Sequence, residues 1–329
     1  MNILVCGGAG YIGCHTVYEL IDKGYNVIVV DNLVKGHKSS VHEKAKLCVG
    51  DLRDEKFMDI VFKENNIDAV IDFAAFSLVG ESVCEPFKYY ENNVYATLKL
   101  LEAMERAKVK KIVFSSTAAV YGEPNKDIIS EDDNILPTNP YGETKLTVER
   151  LLKWADMAYG IKFIALRYFN AAGAHISGKI GEDHNPETHL IPIVLQAAAG
   201  KREKVYIFGD DYLTYDGTCL RDYIHVTDLA NAHIKALERL VNANESGIYN
   251  LGNGKGFSVK EVIEEAKKVT GYNIKTEICD RRKGDPSVLI ASSDKAMKQL
   301  GWKPKFNSLN EIIKTAWNWH VNNPNGYND

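Results

Sequence analysis

Gly7, Gly10 and Gly13 lie three residues apart in the run Gly7-Gly8-Ala9-Gly10-Tyr11-Ile12-Gly13, a spacing suited to holding a dinucleotide pyrophosphate. Glycines permit the tight turn, let the backbone approach the anion and let a helix pack closely on a strand, while the helix N-terminus supplies N–H donors. The run follows the apolar segment Ile3–Cys6 at once and leads into a helical pattern, the context this motif requires. Asp31 closes the next strand pattern 18 residues after Gly13. That is close to the ~20 expected of an acid that hydrogen-bonds the adenosine ribose 2′-hydroxyl. A carboxylate there repels a 2′-phosphate, so NAD is expected over NADP, with only Lys35, His37 and Lys38 arguing the other way. A glycine-rich turn without ligand is the bland alternative; strand, helix and acid together weigh against it.

Two Tyr-x-x-x-Lys pairs, Tyr95–Lys99 and Tyr141–Lys145, are present, so spacing alone cannot choose between them. Tyr95–Lys99 sits inside a long amphipathic helix pattern, where Tyr is expected in the apolar stripe and Lys in solvent. Tyr141–Lys145 follows Pro137-Thr138-Asn139-Pro140 at a helix start, 24 residues after Thr117 in the sequence Ser115-Ser116-Thr117. Successive helical turns put Tyr141 and Lys145 on one face. In open α/β sheets ligands lie beyond the carboxyl ends of the strands, where that Ser-Ser-Thr also emerges.

Positioning these groups requires a scaffold, and the first half of the chain spells one. Short β-branched runs, Ile3–Cys6, Val27–Asp31, Lys46–Val49, Ala69–Phe73, Lys111–Ser115 and Lys162–Arg167, alternate with helical stretches. This predicts a Rossmann-type α/β fold with a doubly wound parallel sheet covered on both faces. The clearest helix runs from Pro86 to Ala107, with a predicted apolar stripe of Tyr90, Val94, Leu98 and Leu101. From Asn170 to Glu187 the pattern dissolves into Gly, Ala, His and Asn before the apolar Leu190–Ala199. The division expected is therefore 1–170, an NAD-binding domain, and 171–329, a smaller α/β substrate-binding domain. Helices are expected at Val226–Val241, Ser258–Val269 and Leu309–Val321, with the return of some elements to the first domain left open.

The 329 residues are 45% hydrophobic, enough for a substantial core, and the net charge of −4 gives no reason to expect nucleic acid or an anionic membrane. No apolar run approaches the ~20 residues of a membrane span. The chain enters a strand pattern directly, without a signal-peptide layout, so a cytoplasmic protein with a small-molecule ligand is expected. The six cysteines form no CxxC pair and read as buried thiols. His184 and His189 are five apart, which does not put both on one helical face, and no metal site is expected.

The sequence resembles the extended short-chain dehydrogenase/reductase family over essentially its whole length, and within it the nucleotide-sugar 4-epimerase branch. The resemblance is carried by Gly7–Gly13, Asp51-Leu52, Phe73-Ala74-Ala75, Val79-Gly80-Glu81-Ser82, Ser115-Ser116-Thr117 and Tyr141-Gly142-Glu143-Thr144-Lys145. It continues through Arg167-Tyr168-Phe169-Asn170, Arg221-Asp222-Tyr223-Ile224-His225-Val226 and Arg281-Arg282-Lys283-Gly284-Asp285. It implies reversible inversion of C4 in UDP-glucose and UDP-galactose, through a transient 4-keto sugar and NADH, as in galactose metabolism. Tyr141 would be the base, its phenolate favoured by Lys145 and the positive nicotinamide ring. Thr117 would hydrogen-bond the 4-oxygen, and Lys145 would also hold the nicotinamide ribose. The keto sugar would swing about its link to the diphosphate and be reduced on its other face.

By position, the resemblance also implies cofactor contacts at Gly7, Gly10, Tyr11, Ile12, Gly13, Asp31, Asn32, Asp51, Leu52, Phe73, Ala74, Ala75, Ser77, Asn92 and Phe169, besides Thr117, Tyr141 and Lys145. The UDP-hexose contacts fall on Asn170, His189, Leu190, Tyr206, Ile207, Phe208, Arg221, Arg282 and Asp285, besides Thr117 and Tyr141. Two arginines suit a diphosphate, although surface ion pairing is the commoner fate of an arginine. A homodimer is implied, with Pro86–Ala107 among its interface helices. Three positions depart from the pattern. Ser77 stands where many relatives have Lys, which weakens one expected hold on NAD. His189 stands where Asn is common, a change that a backbone contact would tolerate. Leu289 replaces a Tyr that in some relatives excludes N-acetylated sugars, so a roomier pocket is expected.

Two rival readings are a nucleotide-sugar 4,6-dehydratase or decarboxylase and a non-catalytic NAD-binding regulator. The dehydratases have an Asp-Glu pair after the Thr at the end of the fifth strand, whereas Ala118-Ala119 follow Thr117 here and offer no acid for elimination. A regulator need not keep Tyr141, Lys145 and Thr117 together.

Overall fold

The computed structural model describes every residue except Asn125, Lys283 and Gly284. In chain order its strands are β1 (Asn2–Cys6), β2 (Asn26–Asp31), β3 (Lys46–Val49), β4 (Ala69–Asp72), β5 (Lys111–Ser115), β6 (Ile128–Ile129), β7 (Lys162–Tyr168), β8 (Asn170–Ala172), β9 (Val205–Phe208), β10 (Leu220–Arg221), β11 (Tyr223–His225), β12 (Gly247–Leu251), β13 (Phe257–Ser258), β14 (Thr276–Cys279) and β15 (Val288–Ala291). The helices are α1 (Tyr11–Asp22), α2 (Glu55–Asn65), α3 (Val79–Cys84), α4 (Pro86–Tyr89), α5 (Ala96–Arg106), α6 (Pro140–Tyr159), α7 (Leu190–Ala198), α8 (Val226–Ala243), α9 (Val259–Thr270), α10 (Asp294–Leu300) and α11 (Leu309–Asn322).

All six predicted strands form, and they lie parallel in one sheet of order β3-β2-β1-β4-β5-β7-β12. Alternation along each strand explains why these runs are apolar throughout. Leu4 and Cys6 of β1 enter the core under α2, α5 and α6, while Ile3 and Val5 enter the core under α1 and α8. The strand order reverses between β1 and β4, which opens a crevice beyond their carboxyl ends.

The seventh strand, β12, comes from far along the chain and pairs with β7 from Gly247↔Ile164 to Leu251↔Tyr168. Helix α8 packs on the same sheet. The return left open by the sequence is therefore made by α8 and β12. A third core joins α7, α9 and α11 over β9. The smaller sheets, β13-β10-β15-β6, β11-β8 and β14-β9, are built from strands of two to four residues.

The predicted helix Pro86–Ala107 is continuous but not uniform: α4 and α5 flank a π-helical segment, Tyr90–Tyr95. A π turn inserts extra chain and slides the buried face along the helix. The buried positions are consequently Tyr89, Asn93, Ala96, Thr97, Leu100, Leu101, Ala103 and Met104, and not the predicted stripe, of which only Leu101 is buried. Tyr95, assigned to that stripe by its spacing, is 44% exposed. Lys99 beside it pairs with Glu102 at 2.7 Å, a surface role.

Candidate cofactor and active site

The glycine loop has the cramped geometry its residues imply. A Cβ on Gly13 would stand 2.1 Å from the Gly7 carbonyl oxygen, so the first turn of α1 can close on the loop only with glycine there. Helix α1 starts without a side-chain cap and without an acidic residue in its first turn, which leaves its N–H groups to an anion. Asp31 faces this loop, its two oxygens accepting N–H bonds from Ala9 (3.0 Å) and Leu33 (2.9 Å). Burial raises its pKa, and the two N–H bonds work against that. The second lone pair on each oxygen remains for ribose hydroxyls. A dinucleotide with a free 2′-hydroxyl fits this cradle.

Around it stand the other expected cofactor positions. Asn32 donates to Asp51 at 3.1 Å, and Arg53 clamps Asp51 with two bonds of 2.8 Å, holding its carboxyl well below the usual range. The Leu52 side chain is buried in the core, which leaves only its backbone for a ligand. Phe73, Ala74 and Ala75 leave the end of β4 beside Gly7, at the switch point. Asn92 donates to Asn93 at 3.1 Å, whereas Ser77 is exposed and makes no side-chain bond among the described residues.

Tyr141 and Lys145 enter on α6, whose start is fixed by Pro140 in its first turn and by Asn139 capping Gly142 N at 2.9 Å. A Cβ on Gly142 would lie 2.6 Å from the Ala119 carbonyl oxygen, so glycine brings α6 against the turn that follows Thr117. Tyr141, Lys145 and Glu149 then repeat every four residues along one buried face. The Lys145 ammonium donates to the Ser115 carbonyl at 2.7 Å. Burial lowers its pKa to about 8, with Asp72 and Glu149 holding it up. Burial raises the Tyr141 phenol, and the Thr117 hydroxyl beside it opposes the rise. Thr117 accepts a bond from Ala119 N at 3.1 Å, so its own hydroxyl proton is available to another acceptor. The Tyr141–Lys145 pair, and not Tyr95–Lys99, thus meets the Ser-Ser-Thr at the end of β5.

Two positioning devices had no motif to reveal them. Asp72, at the end of β4, accepts from Ala74 N (3.0 Å) and Thr97 Oγ1 (3.3 Å), and burial lifts its carboxyl to about 6 although Lys145 opposes this. Glu149 accepts from Ser116 Oγ (2.6 Å) and from Arg167 Nε (2.9 Å), and Arg167 Nη1 also donates to Tyr121 OH (2.9 Å). Tyr121 in turn donates to Asn250 at 2.7 Å. This buried chain ties α6 to β5, β7 and β12. Its only sequence signal was Glu149 one turn beyond Lys145.

The expected sugar-nucleotide positions lie on the smaller sheets and in loops. Tyr206 and Phe208 project from one face of β9, while the side chain of Ile207 points into the core and leaves only its backbone accessible. Leu190 packs on the same core. Arg221 pairs with Asp285, and the Arg282 guanidinium covers the Phe208 ring at 3.9 Å. Lys283 and Gly284 of that motif lie outside the described residues. Asn170 donates to the Asp222 carbonyl at 3.2 Å. Phe169 and Leu289 pack on Val120, Tyr121 and Leu146.

His189 is the N-cap residue of α7, and its ring turns toward Glu182 and Glu187. A five-residue spacing separates two side chains only where the chain is helical. Both residues lie before α7 in a loop, and the loop folds their rings to within 5.1 Å of each other.

A profile of the NAD dependent epimerase/dehydratase family matches residues 3–252. The UDP-glucose 4-epimerase of Halalkalibacterium halodurans is 59% identical over 327 residues, covering 99% of this chain and 98% of that one. A crystal structure of a UDP-glucose 4-epimerase superposes with a TM-score of 0.99 at 55% identity, covering all of both chains. The Bifidobacterium longum UDP-glucose 4-epimerase, solved with NAD+ and UDP, superposes at 0.94 with 44% identity, covering 99% of this chain and 100% of that one. On fold, cofactor cradle and this likeness together, the chain belongs to the NAD dependent epimerase/dehydratase family, within the extended short-chain dehydrogenases/reductases.

Proposed function

We propose that this chain is an isomerase that interconverts UDP-glucose and UDP-galactose by inverting C4, with NAD resident on the first sheet. The observation that carries the reading is the meeting of Tyr141, Lys145 and Thr117 at the end of β5, followed by Ala118 and Ala119 where elimination would need an acid. Held by the Gly7–Gly13 loop and Asp31, bound NAD would supply reversible hydride transfer at C4. Tyr141 takes the proton of the 4-hydroxyl and later returns it. Thr117, whose hydroxyl faces the Tyr141 phenol, steadies the 4-oxygen by hydrogen bonding. Lys145, anchored on the Ser115 carbonyl, keeps two N–H groups for the cofactor ribose and adds positive charge near the phenol. Arg221 and Arg282 exchange their present partners for the diphosphate.

Residues 1–170 serve the cofactor and 171–329 the sugar nucleotide in this reading, with α8 and β12 completing the cofactor sheet. The chain acts as a cytoplasmic homodimer of galactose metabolism. Phe87 (88% exposed) on α4 and Trp154 (66%) and Met157 (76%) on α6 leave large apolar side chains in solvent, which suits cover by a second copy. No helix among the described residues is long and apolar enough to cross a membrane.

The reading is tested by mixing the protein with UDP-galactose, without added NAD, and following UDP-glucose by NMR of the anomeric protons. Conversion is expected, and none even with added NAD would remove the proposal. A need for added NAD would assign weak retention to Ser77. Leu289 extends the substrate range to UDP-N-acetylglucosamine; no turnover of that sugar at saturation would contradict the extension.

A further inference from the structure

Four side chains of the loop before α7 point their donor atoms at one spot. Glu182 Oε1 lies 2.8 Å from His189 Nδ1 and 3.1 Å from His184 Nδ1. Glu187 completes the group, Oε1 at 3.0 Å from His189 Nδ1 and Oε2 at 3.7 Å from His184 Nδ1. One ligand atom from each residue falls within 4.8 Å of all the others. Ligands held tetrahedrally at zinc distances stand about 3.3 Å apart, inside the range of these separations. Both carboxylates are buried, 5% and 4% exposed, and a divalent ion balances their two charges with both imidazoles neutral.

The surroundings fix these ligands as a metal site requires. Glu187 Oε1 also accepts the backbone N–H of Thr188 (2.7 Å) and of His189 (2.8 Å). The Tyr11 ring meets His184 edge-on at 5.9 Å, and Trp319 Nε1 donates to the Glu182 carbonyl at 3.2 Å. A cleft of about 390 Å³ lined by Glu182, His184 and Glu187 gives an ion access from solvent.

We infer that Glu182, His184, Glu187 and His189 form a structural site for a zinc-like divalent cation. Two nitrogens and two oxygens from the protein fill a tetrahedron and leave no open position for chemistry, so the ion acts as a brace. It pins the loop that runs from the cofactor side, where Lys35 donates to the Asn185 carbonyl at 2.8 Å, to the start of α7. The inference is independent of the C4 chemistry.

The test uses the full chain with its cofactor, stripped with a chelator and titrated with zinc chloride. One ion per chain is expected, with a rise in Tm. His184→Ala and Glu187→Gln are each expected to weaken zinc binding by at least about 100-fold. X-ray absorption at the zinc edge of the native chain decides the matter even where a variant fails to fold. Two imidazoles with oxygen neighbours and no sulfur are expected. Sulfur scattering, no stoichiometric zinc, or variants that bind zinc as the native chain does would each overturn the site.

Discussion

Tyr141 and Lys145 stand on a 20-residue helix bolted to the central sheet through Glu149 and Arg167, both almost fully buried. Arg221, Arg282 and Asp285 stand instead on a two-residue strand and in loops, where Arg221 pairs with Asp285 and Arg282 covers Phe208. The difference suits the two tasks proposed for them. Proton transfer needs a fixed geometry, within a few tenths of an ångström, before substrate arrives. Diphosphate recognition tolerates side chains that exchange one partner for another, and it gains specificity from doing so.

The largest break in this comparison is expected from the cofactor loop. Gly13→Ala puts a methyl into the Gly7 carbonyl, and purified protein is expected to carry essentially no NAD, read from its absorbance after denaturation. Native occupancy in this variant would mean that the loop relaxes freely.

Next come the two ion pairs. Glu149→Ala leaves the buried Arg167 without its partner and is expected to cost about 3–5 kcal/mol in denaturant unfolding. Asp285→Ala, which breaks a partly exposed pair, is expected to cost under about 1 kcal/mol. Equal costs would erase the distinction between the two regions. Arg221→Ala then sharpens it from the functional side: KM for UDP-galactose rises about 10–100-fold while kcat changes little, because a bond made to ground and transition states alike is lost. A matching fall in kcat would place Arg221 in the chemistry.

The smallest effect concerns pH. The Asp72 carboxyl titrates near 6 in the fold, above its unfolded value near 4, so the folded state binds the extra proton between those values. Stability from this group is present below about pH 4 and is lost as pH rises through about 6. The Tm advantage of Asp72→Asn over the native chain is therefore expected to grow between those limits and then level off. A difference that stays constant with pH would show that Asp72 is not perturbed.

The central sheet was legible because strands covered on both faces must be apolar throughout, and glycine loops and Tyr-x-x-x-Lys are contiguous in the chain. The strand β12 was not, since Gly247–Leu251 reads like any short strand and only tertiary packing brings it to β7. The π turn at Tyr90–Tyr95 hid the true face of its helix, because periodicity assumes 3.6 residues per turn throughout. The Glu149–Arg167 link and the convergence of His184 with His189 depend on distances that no spacing rule carries. Ile207 and Leu52 show a limit of a different kind: position in a motif marks a contact without telling whether side chain or backbone makes it.

The role proposed for Tyr141 is proton transfer at the 4-oxygen. It is tested most directly by the rate of UDP-galactose conversion in NAD-loaded Tyr141→Phe, beside the native chain at saturating substrate. A fall in kcat of about 10²–10⁴-fold with NAD still bound is predicted. Undiminished turnover in that variant would remove Tyr141 from the proton transfer.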